Sequence, residues 1–288
     1  MTAKLLDGRE VAAVIKARIS KQVNAIKAQG LDAPSLAVVL AGNDPASEVY
    51  VANKRKACAE VGIISHSYDL PANVSEPALI ELIQKLNYDK ATDGILVQLP
   101  LPIGINTDNI IECIGEKKDV DGFHPYNFGR LALRNPILRP CTPYGIIQLL
   151  QAYKIPLPGQ HAVVVGASHI VGRPMALEFL MAGATVTVCH RLTKDLKRHI
   201  EAADIIIVAA GVQSLMNVQG LKNHQVLIDV GIHRMDANRI RGDVDFDEAR
   251  EKVAWITPVP GGVGPMTIAC LLQNTLIAAS LRRDLTMT

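Results

Sequence analysis

Aromatic residues are scarce: Phe, Trp and Tyr together make up 4% of the 288 residues. A surface that stacks RNA bases needs ring faces, so this class is disfavoured. Charge of one sign is not concentrated either. The 30 Lys and Arg and 28 Asp and Glu are interspersed, with a formal net charge of +2, and no basic run marks a nucleic-acid footprint. The 5 cysteines (positions 58, 113, 141, 189 and 270) are odd in number and never in C-x-x-C spacing. That argues against a disulfide framework or a zinc site and for a reducing compartment. The 8 histidines do not pair at ligand spacing, so no metal is expected. No uninterrupted apolar run reaches bilayer length. Charge appears at Lys4 and Asp7, too soon for a signal peptide. A cytoplasmic protein is expected, with neither a membrane nor a nucleic acid as partner.

What is present is a composition that is 49% apolar, enough for one large or two ordinary globular domains. Residues 9–29 repeat apolar side chains at helical spacing (Val11, Val14, Ile15, Ile19, Val23, Ile26) until Gly30 stops them. A short apolar run over 35–42 reads as a buried strand. Asn43 or Asp44 then caps a helix with Pro45 in its first turn, ending near Gly62. Strands over 63–70 and 94–99 flank a helix over 76–87. This alternation implies a mostly parallel sheet covered by helices. Between about 100 and 143 prolines and glycines accumulate, which marks functional loops or a domain junction. A second alternation follows: strand 161–165, a helix to 181, strand 184–190, a helix near 195–202, and strands 204–209 and 226–230. A last helix over about 267–282 is placed to return to the first half.

Gly166-Ala167-Ser168-His169-Ile170-Val171-Gly172 joins the first strand of the second half to its helix. A glycine permits the tight turn, and free N–H groups at a helix start hold a pyrophosphate. The pattern is G-x-S-x-x-x-G, with Ser168 in place of a middle glycine and its hydroxyl available to a phosphate. An ordinary strand–helix turn also needs a glycine; its place at the first such turn of an α/β alternation favours the dinucleotide reading. The next strand ends Cys189-His190-Arg191 without a carboxylate. An NAD site wants an acid there for the ribose hydroxyls; a cation suits a 2′-phosphate and hence NADP.

In the first half, Ser47, Tyr50 and Lys54 fall on one helix face. A solvated Lys–Tyr pair looks the same; a proton-moving lysine needs partial desolvation. Gln98 is a polar amide at the C-terminal end of a buried strand, where α/β sheets bind ligands. Asp121 precedes Gly122, as many turn-forming carboxylates do, yet it also suits an aminopyrimidinone through two parallel hydrogen bonds. The segment 257–267 (TPVPGGVGPMT) is rigid and glycine-rich, and Pro260, Gly261 and Gly262 are candidate ligand contacts in it.

Taken together, SEVYVANKRKAC (47–58), DGILVQLPLP (93–102), KDVDGFHPYN (118–127), RPCTPYG (139–145), GASHIVGRP (166–174) and TPVPGGVGPMT (257–267) resemble the bifunctional methylenetetrahydrofolate dehydrogenase/cyclohydrolase family. The resemblance covers nearly the whole chain. It implies two α/β domains with an active-site cleft between them. A folate-binding catalytic domain would span 1–121 plus a C-terminal helix at about 268–288, and a Rossmann-like NADP-binding domain 122–267. Lys54 looks like the catalytic lysine, Tyr50 like the residue packing on the aminobenzoate ring, Gln98 like the lysine's hydrogen-bond partner and Asp121 like the pterin anchor. Gly166, Ala167 and Ser168 match the cofactor loop, and Ile232 a nicotinamide-side contact. Some relatives carry a basic residue directly after the first loop glycine; here it is Ala167, which leaves Arg191 and Arg173 for the 2′-phosphate. The implied chemistry is NADP-dependent oxidation of 5,10-methylenetetrahydrofolate to the 5,10-methenyl cation, then hydrolysis to 10-formyltetrahydrofolate. A reduced folate is the small-molecule partner, no metal takes part, and the family implies a homodimer.

Three rivals remain on sequence. Tyr50-x-x-x-Lys54 also matches the proton relay of short-chain dehydrogenases, although there it follows the dinucleotide fold and here it precedes Gly166 by a domain. A non-enzymatic nucleotide-binding protein would have no need of Lys54, Gln98 and Asp121 together. A dehydrogenase lacking the cyclohydrolase activity is the third.

Overall fold

The computed structural model describes residues 2–213, 215–216, 218–235 and 240–283. In chain order its elements begin with β1 (Lys4–Leu5), α1 (Gly8–Ala28), β2 (Ser35–Ala41), α2 (Pro45–Val61), β3 (Ile64–Leu70), α3 (Glu76–Tyr88), β4 (Gly94–Val97) and α4 (Thr107–Cys113). There follow α5 (Pro125–Ala132), α6 (Cys141–Ala152), β5 (His161–Val165), α7 (Gly172–Met181), β6 (Thr185–Cys189), α8 (Leu196–Glu201), β7 (Ile205–Val208) and β8 (Val226–Asp229). The short strands β9 (His233–Arg234) and β10 (Ile240–Arg241), helix α9 (Phe246–Ala249), β11 (Trp255–Ile256) and α10 (Val263–Arg283) complete it. The chain divides into two compact units, one of residues 14–141 and 268–288, the other of residues 1–13 and 142–267. By packing, the segment 122–141 stays with the first of these and the N-terminal residues with the second.

The unit containing α2 is built on a three-stranded parallel sheet in the order β3-β2-β4. The central strand β2 is buried at all its positions, which explains its unbroken apolar sequence: a parallel strand covered on both faces has no polar side to present. Helix α2 starts where expected. Asp44 is its N-cap, accepting from the Ser47 N–H, and Pro45 lies in the first turn. At the opposite edge of this sheet, Asp93 is fully buried and receives the Ser35 N–H at 2.9 Å. The guanidinium groups of Arg282 (2.8 Å) and Arg283 close on the same carboxylate and dock the end of α10.

The other unit carries a six-stranded sheet in the order β1-β11-β8-β7-β5-β6, with every strand pairing parallel. The chain goes from β5 outward to β6 and then crosses back to β7 on the other side of β5. That reversal between β5 and β7 is the switch point at which open α/β sheets bind ligands. A β9–β10 hairpin is appended. The outermost strand β1 comes from the extreme N-terminus, which the sequence does not signal because a two-residue strand has no periodicity.

Helix α10 has the length and apolar composition of a membrane span, although no single apolar run reaches that length; 67% of that stretch is buried inside the protein. Ala269, Cys270, Leu271, Leu272, Leu276 and Ala279 are all core residues of the fold.

Candidate active site

Helix α2 presents Lys54 to the C-terminal end of β4. Lys54 is buried, 8% exposed, and its Nζ donates to Gln98 Oε1 at 3.1 Å. Lys54 is therefore set into the protein rather than solvated on a helix surface. Gln98 is fixed in turn: its N–H donates to Val39 O at 2.9 Å and its Nε2 to Leu99 O at 2.7 Å. With Nε2 so engaged, the amide is oriented to offer Oε1 to the lysine. Tyr50, one turn before Lys54, is half-buried.

Asp121 reaches the same place by a route the sequence conceals. Residues 118–119 pair alongside β4: Ile95 donates to Lys118 O at 2.8 Å and forms a parallel bridge with Asp119. Two residues on, Asp121 comes level with the end of β4. Its carboxyl is recessed, partly open to solvent yet surrounded by protein. That burial pushes its pKa up to about 6 against the pull of the Lys54 ammonium, with Asp119 adding to the rise. Asp119 is fully enclosed and structural, accepting from the His124 N–H (2.9 Å) and Asn127 Nδ2 (2.8 Å). Asn274 of α10 supports this strand-like segment, its Nδ2 donating to Val120 O and Arg139 O, each at 2.8 Å. Nothing in the sequence singles it out, since Asn274 stands beside a second amide, Gln273, in the same helix.

Ser47 has a different occupation from the one expected of a ligand contact. It is 3% exposed, and its N–H and Oγ both donate to Asp44 Oδ2 at 2.8 Å. Its bonds are those of the first-turn residue that the Asp44 cap holds. The glycines at 261 and 262 likewise have an internal explanation. A Cβ on Gly262 would lie 2.7 Å from Pro258 O, and one on Gly261 2.5 Å from the Arg9 guanidinium. Gly8 donates to Gly261 O at 2.9 Å and Arg9 Nη2 to Pro260 O at 3.0 Å. The start of α1 takes up the close approach at Gly261, and Pro258 and Thr257 of the same loop take up that at Gly262. The Val259–Pro260 peptide is cis, and Pro260 is exposed while Gly261 and Gly262 are buried.

At the C-terminal edge of the six-stranded sheet, Gly166 turns the chain at φ +124°, and a Cβ there would lie 2.2 Å from Ala209 O. Only glycine fits. The Ser168 hydroxyl oxygen accepts the N–H of Val171 (3.2 Å) and of Gly172 (3.3 Å), so it caps α7 itself. The first helical N–H groups are thus already used, against the expectation that they would hold a pyrophosphate. Instead, the N–H groups of Ala167, Ser168, His169 and Ile170 donate to no group among the described residues. Four consecutive amides of this loop are thus left available to an anion. Arg191 follows β6 in a turn closed from Thr193 N to His190 O at 2.8 Å and is exposed, as is Arg173. Ile232, 44% exposed, follows β8. Parallel pairing puts the loops after β5, β6 and β8 on one edge of the sheet, so Ala167, Ser168, Arg191 and Ile232 share it.

Two family models match the chain: the tetrahydrofolate dehydrogenase/cyclohydrolase catalytic domain over residues 6–121 and the NAD(P)-binding domain of the same enzymes over 140–283. The chain belongs to the tetrahydrofolate dehydrogenase/cyclohydrolase family. A bifunctional FolD protein of Legionella pneumophila is 60% identical over 284 residues, 99% of this chain and all of that one. The crystal structure of the Campylobacter jejuni bifunctional FolD enzyme superposes with a TM-score of 0.94 at 50% identity, covering 97% of this chain and 99% of that one. A Trypanosoma brucei methylenetetrahydrofolate dehydrogenase–cyclohydrolase, solved with NADP and an inhibitor, gives a TM-score of 0.95 at 36% identity over 99% and 100% of the two chains.

Family membership sorts the rival readings. In this dehydrogenase/cyclohydrolase chain the Tyr50-x-x-x-Lys54 helix lies in the catalytic-domain match and the Gly166 loop in the NAD(P)-binding match, so the short-chain dehydrogenase order does not apply. Among the described residues no group of His, Cys, Asp or Glu is arranged to hold a metal ion, and all 5 cysteines are free thiols.

Proposed function

We propose that this chain oxidises 5,10-methylenetetrahydrofolate with NADP and then hydrolyses the 5,10-methenyl product to 10-formyltetrahydrofolate. The observation that carries this reading is the Lys54–Gln98 hydrogen bond of 3.1 Å, buried beside Asp121. NADP, when bound, supplies the hydride acceptor. The amides of residues 167–170 hold its diphosphate, Arg191 with Arg173 its 2′-phosphate, and Ile232 contacts its nicotinamide side. The chain's contribution to the oxidative step is to hold the two reactants and shield them from water.

In the hydrolytic step water adds to the electrophilic methenyl carbon. Lys54, reacting as its neutral amine, takes a proton from that water and passes it to N5 as the C–N5 bond breaks. The remaining hydroxyl proton is released to solvent, leaving the formyl group on N10. Gln98 keeps the Lys54 Nζ aimed at the reacting carbon. Asp121 anchors the aminopyrimidinone of the pterin, and Tyr50 packs on the aminobenzoate ring. Burial of Lys54 and the locked amide of Gln98 support these roles. The cysteines, none of them in a disulfide, favour a reducing compartment such as the cytoplasm, and the family resemblance implies a homodimer, which light scattering checks.

One assay tests the whole: methylenetetrahydrofolate with NADP or NAD, following reduced cofactor and methenylfolate together. Turnover with NADP and consumption of the methenyl species are expected. No turnover with either cofactor sinks the reading, and methenylfolate that accumulates without hydrolysis reduces it to a dehydrogenase.

A further inference from the structure

The loops at the C-terminal edge of the larger sheet are tied together by a carboxylate that the reaction above does not use. Asp243 is fully buried. Its Oδ2 accepts the N–H groups of Ala210 and Gly211, each at 2.9 Å, and its Oδ1 lies 2.7 Å from His233 Nε2. The Asp243 N–H donates to Asp229 Oδ1 at 3.0 Å, and that same oxygen takes the Gly231 N–H at 2.9 Å. Asp229 Oδ2 takes the Val244 N–H at 2.9 Å. The turn after β7, the turn after β8 and the chain leaving β10 therefore share two buried carboxylates. Hairpin pairing of Arg241 with His233 brings the imidazole and Asp243 together.

The sequence makes room for this network. A Cβ on Gly231 would lie 2.2 Å from Asp243 Oδ1, and one on Gly242 would lie 2.0 Å from Asp229 Oδ2. Ile232 sits between Gly231 and His233, both held by the network, while its own side chain is 44% exposed. Its placement is thus set by its anchored neighbours and not by its own packing. The amides of Ala210 and Gly211 already have a resident anion, which leaves those of residues 167–170 as the ones open to a phosphate.

We propose that Asp243 is a positioning residue for the cofactor. With Asp229 and His233 it holds the 209–211 and 230–233 loops in the arrangement that presents Ile232 and its flanking backbone to bound NADP. This rests on the NADP-dependent reading given above. Removing the carboxylate leaves two part-buried N–H donors without their acceptor, so the loops lose their single arrangement and binding must restore it.

Calorimetric titration of NADP into the full-length wild type, Asp243→Asn and Asp243→Ala tests it. The alanine variant is expected to bind about tenfold more weakly, equivalent to about 1.4 kcal/mol. Asn keeps an acceptor for the Ala210 and Gly211 amides and is expected to recover most of that loss. If wild type binds NADP and a cooperatively folded alanine variant binds within about twofold of it, the inference falls while the NADP reading stands. If wild type binds no NADP, the NADP reading itself falls. Should the alanine variant not fold, His233→Gln at its partly exposed site decides: about threefold weaker binding is expected, and unchanged affinity overturns the proposal.

Discussion

Lys54 Nζ donates to Gln98 Oε1 at 3.1 Å, joining a helix face to a strand end that lie 44 positions apart in the chain. Because Gln98 is itself held by Val39 O and Leu99 O, the lysine is aimed by the sheet rather than by its own flexible stem. Replacing Lys54 with Met keeps much of the buried stem and removes the proposed proton carrier. Lys54→Met is expected to cut methenyltetrahydrofolate hydrolysis by about 10²–10⁴-fold, the range for loss of general acid–base catalysis. Folate binding, followed by fluorescence titration, is expected to stay close to wild type. Hydrolysis at the wild-type rate would remove Lys54 from the mechanism.

Asp121 makes a prediction about pH. Its native pKa of about 6 lies above the ordinary 3.8 of an unfolded aspartate. Between those values the native state holds a proton that the unfolded state has lost. Its stability contribution is therefore greatest below pH 3.8 and declines as pH rises through about 6. At neutral pH the buried charge opposes folding. Asp121→Asn is expected to raise Tm at neutral pH, the gain disappearing below about pH 4, while folate affinity falls. A Tm difference independent of pH would show that the carboxylate does not titrate this way.

Arg191 stands at the end of β6 where an NAD site would carry an acid. Arg191→Ala is expected to raise KM for NADP by about 10–100-fold, as befits losing a charge-assisted phosphate contact, with much less change for NAD. Equal effects on both cofactors would place the 2′-phosphate elsewhere.

The cluster of Asp93 with Arg282 and Arg283 is structural. The Asp93 side chain is 0% exposed and also ties β2 to the start of β4 through Ser35. Asp93→Ala leaves two arginines facing a void and is expected to cost about 3–5 kcal/mol in denaturant unfolding, the range for halving a buried ion pair. A loss within about 0.5 kcal/mol, the scatter of surface substitutions, would mean water replaces the carboxylate.

Local signals read well from sequence. The Asp44–Pro45 helix start, the strand 94–97 delivering Gln98 and the glycine turn at 166 each follow from a few adjacent residues. What stayed hidden depends on pairing between distant segments. The strand-like course of 118–121 beside β4 has no strand periodicity of its own, because its geometry is imposed by Ile95 and Asn274. Asp243 and His233 gave no signal, since a buried carboxylate and a surface one look alike until the amides of Ala210 and Gly211 are seen to converge on it. Gly261 and Gly262 suggested a ligand because a glycine shows only that something approaches closely. Here that something is the side chain of Arg9 at Gly261, and Pro258 and Thr257 of the same loop at Gly262.

The pairing of β1 with β11 has a consequence for biosynthesis. Lys4 and Leu5 are translated early, yet their partners Trp255 and Ile256 emerge only after nearly all of the other unit's chain has been made. The sheet can assemble its central strands during synthesis, but its outer edge stays unpaired until β11 has been made. β1 must therefore remain uncommitted while the intervening strands of its sheet are made. A bulky fusion placed directly before Lys4 is accordingly expected to interfere with folding late in synthesis, after the core of the sheet has formed.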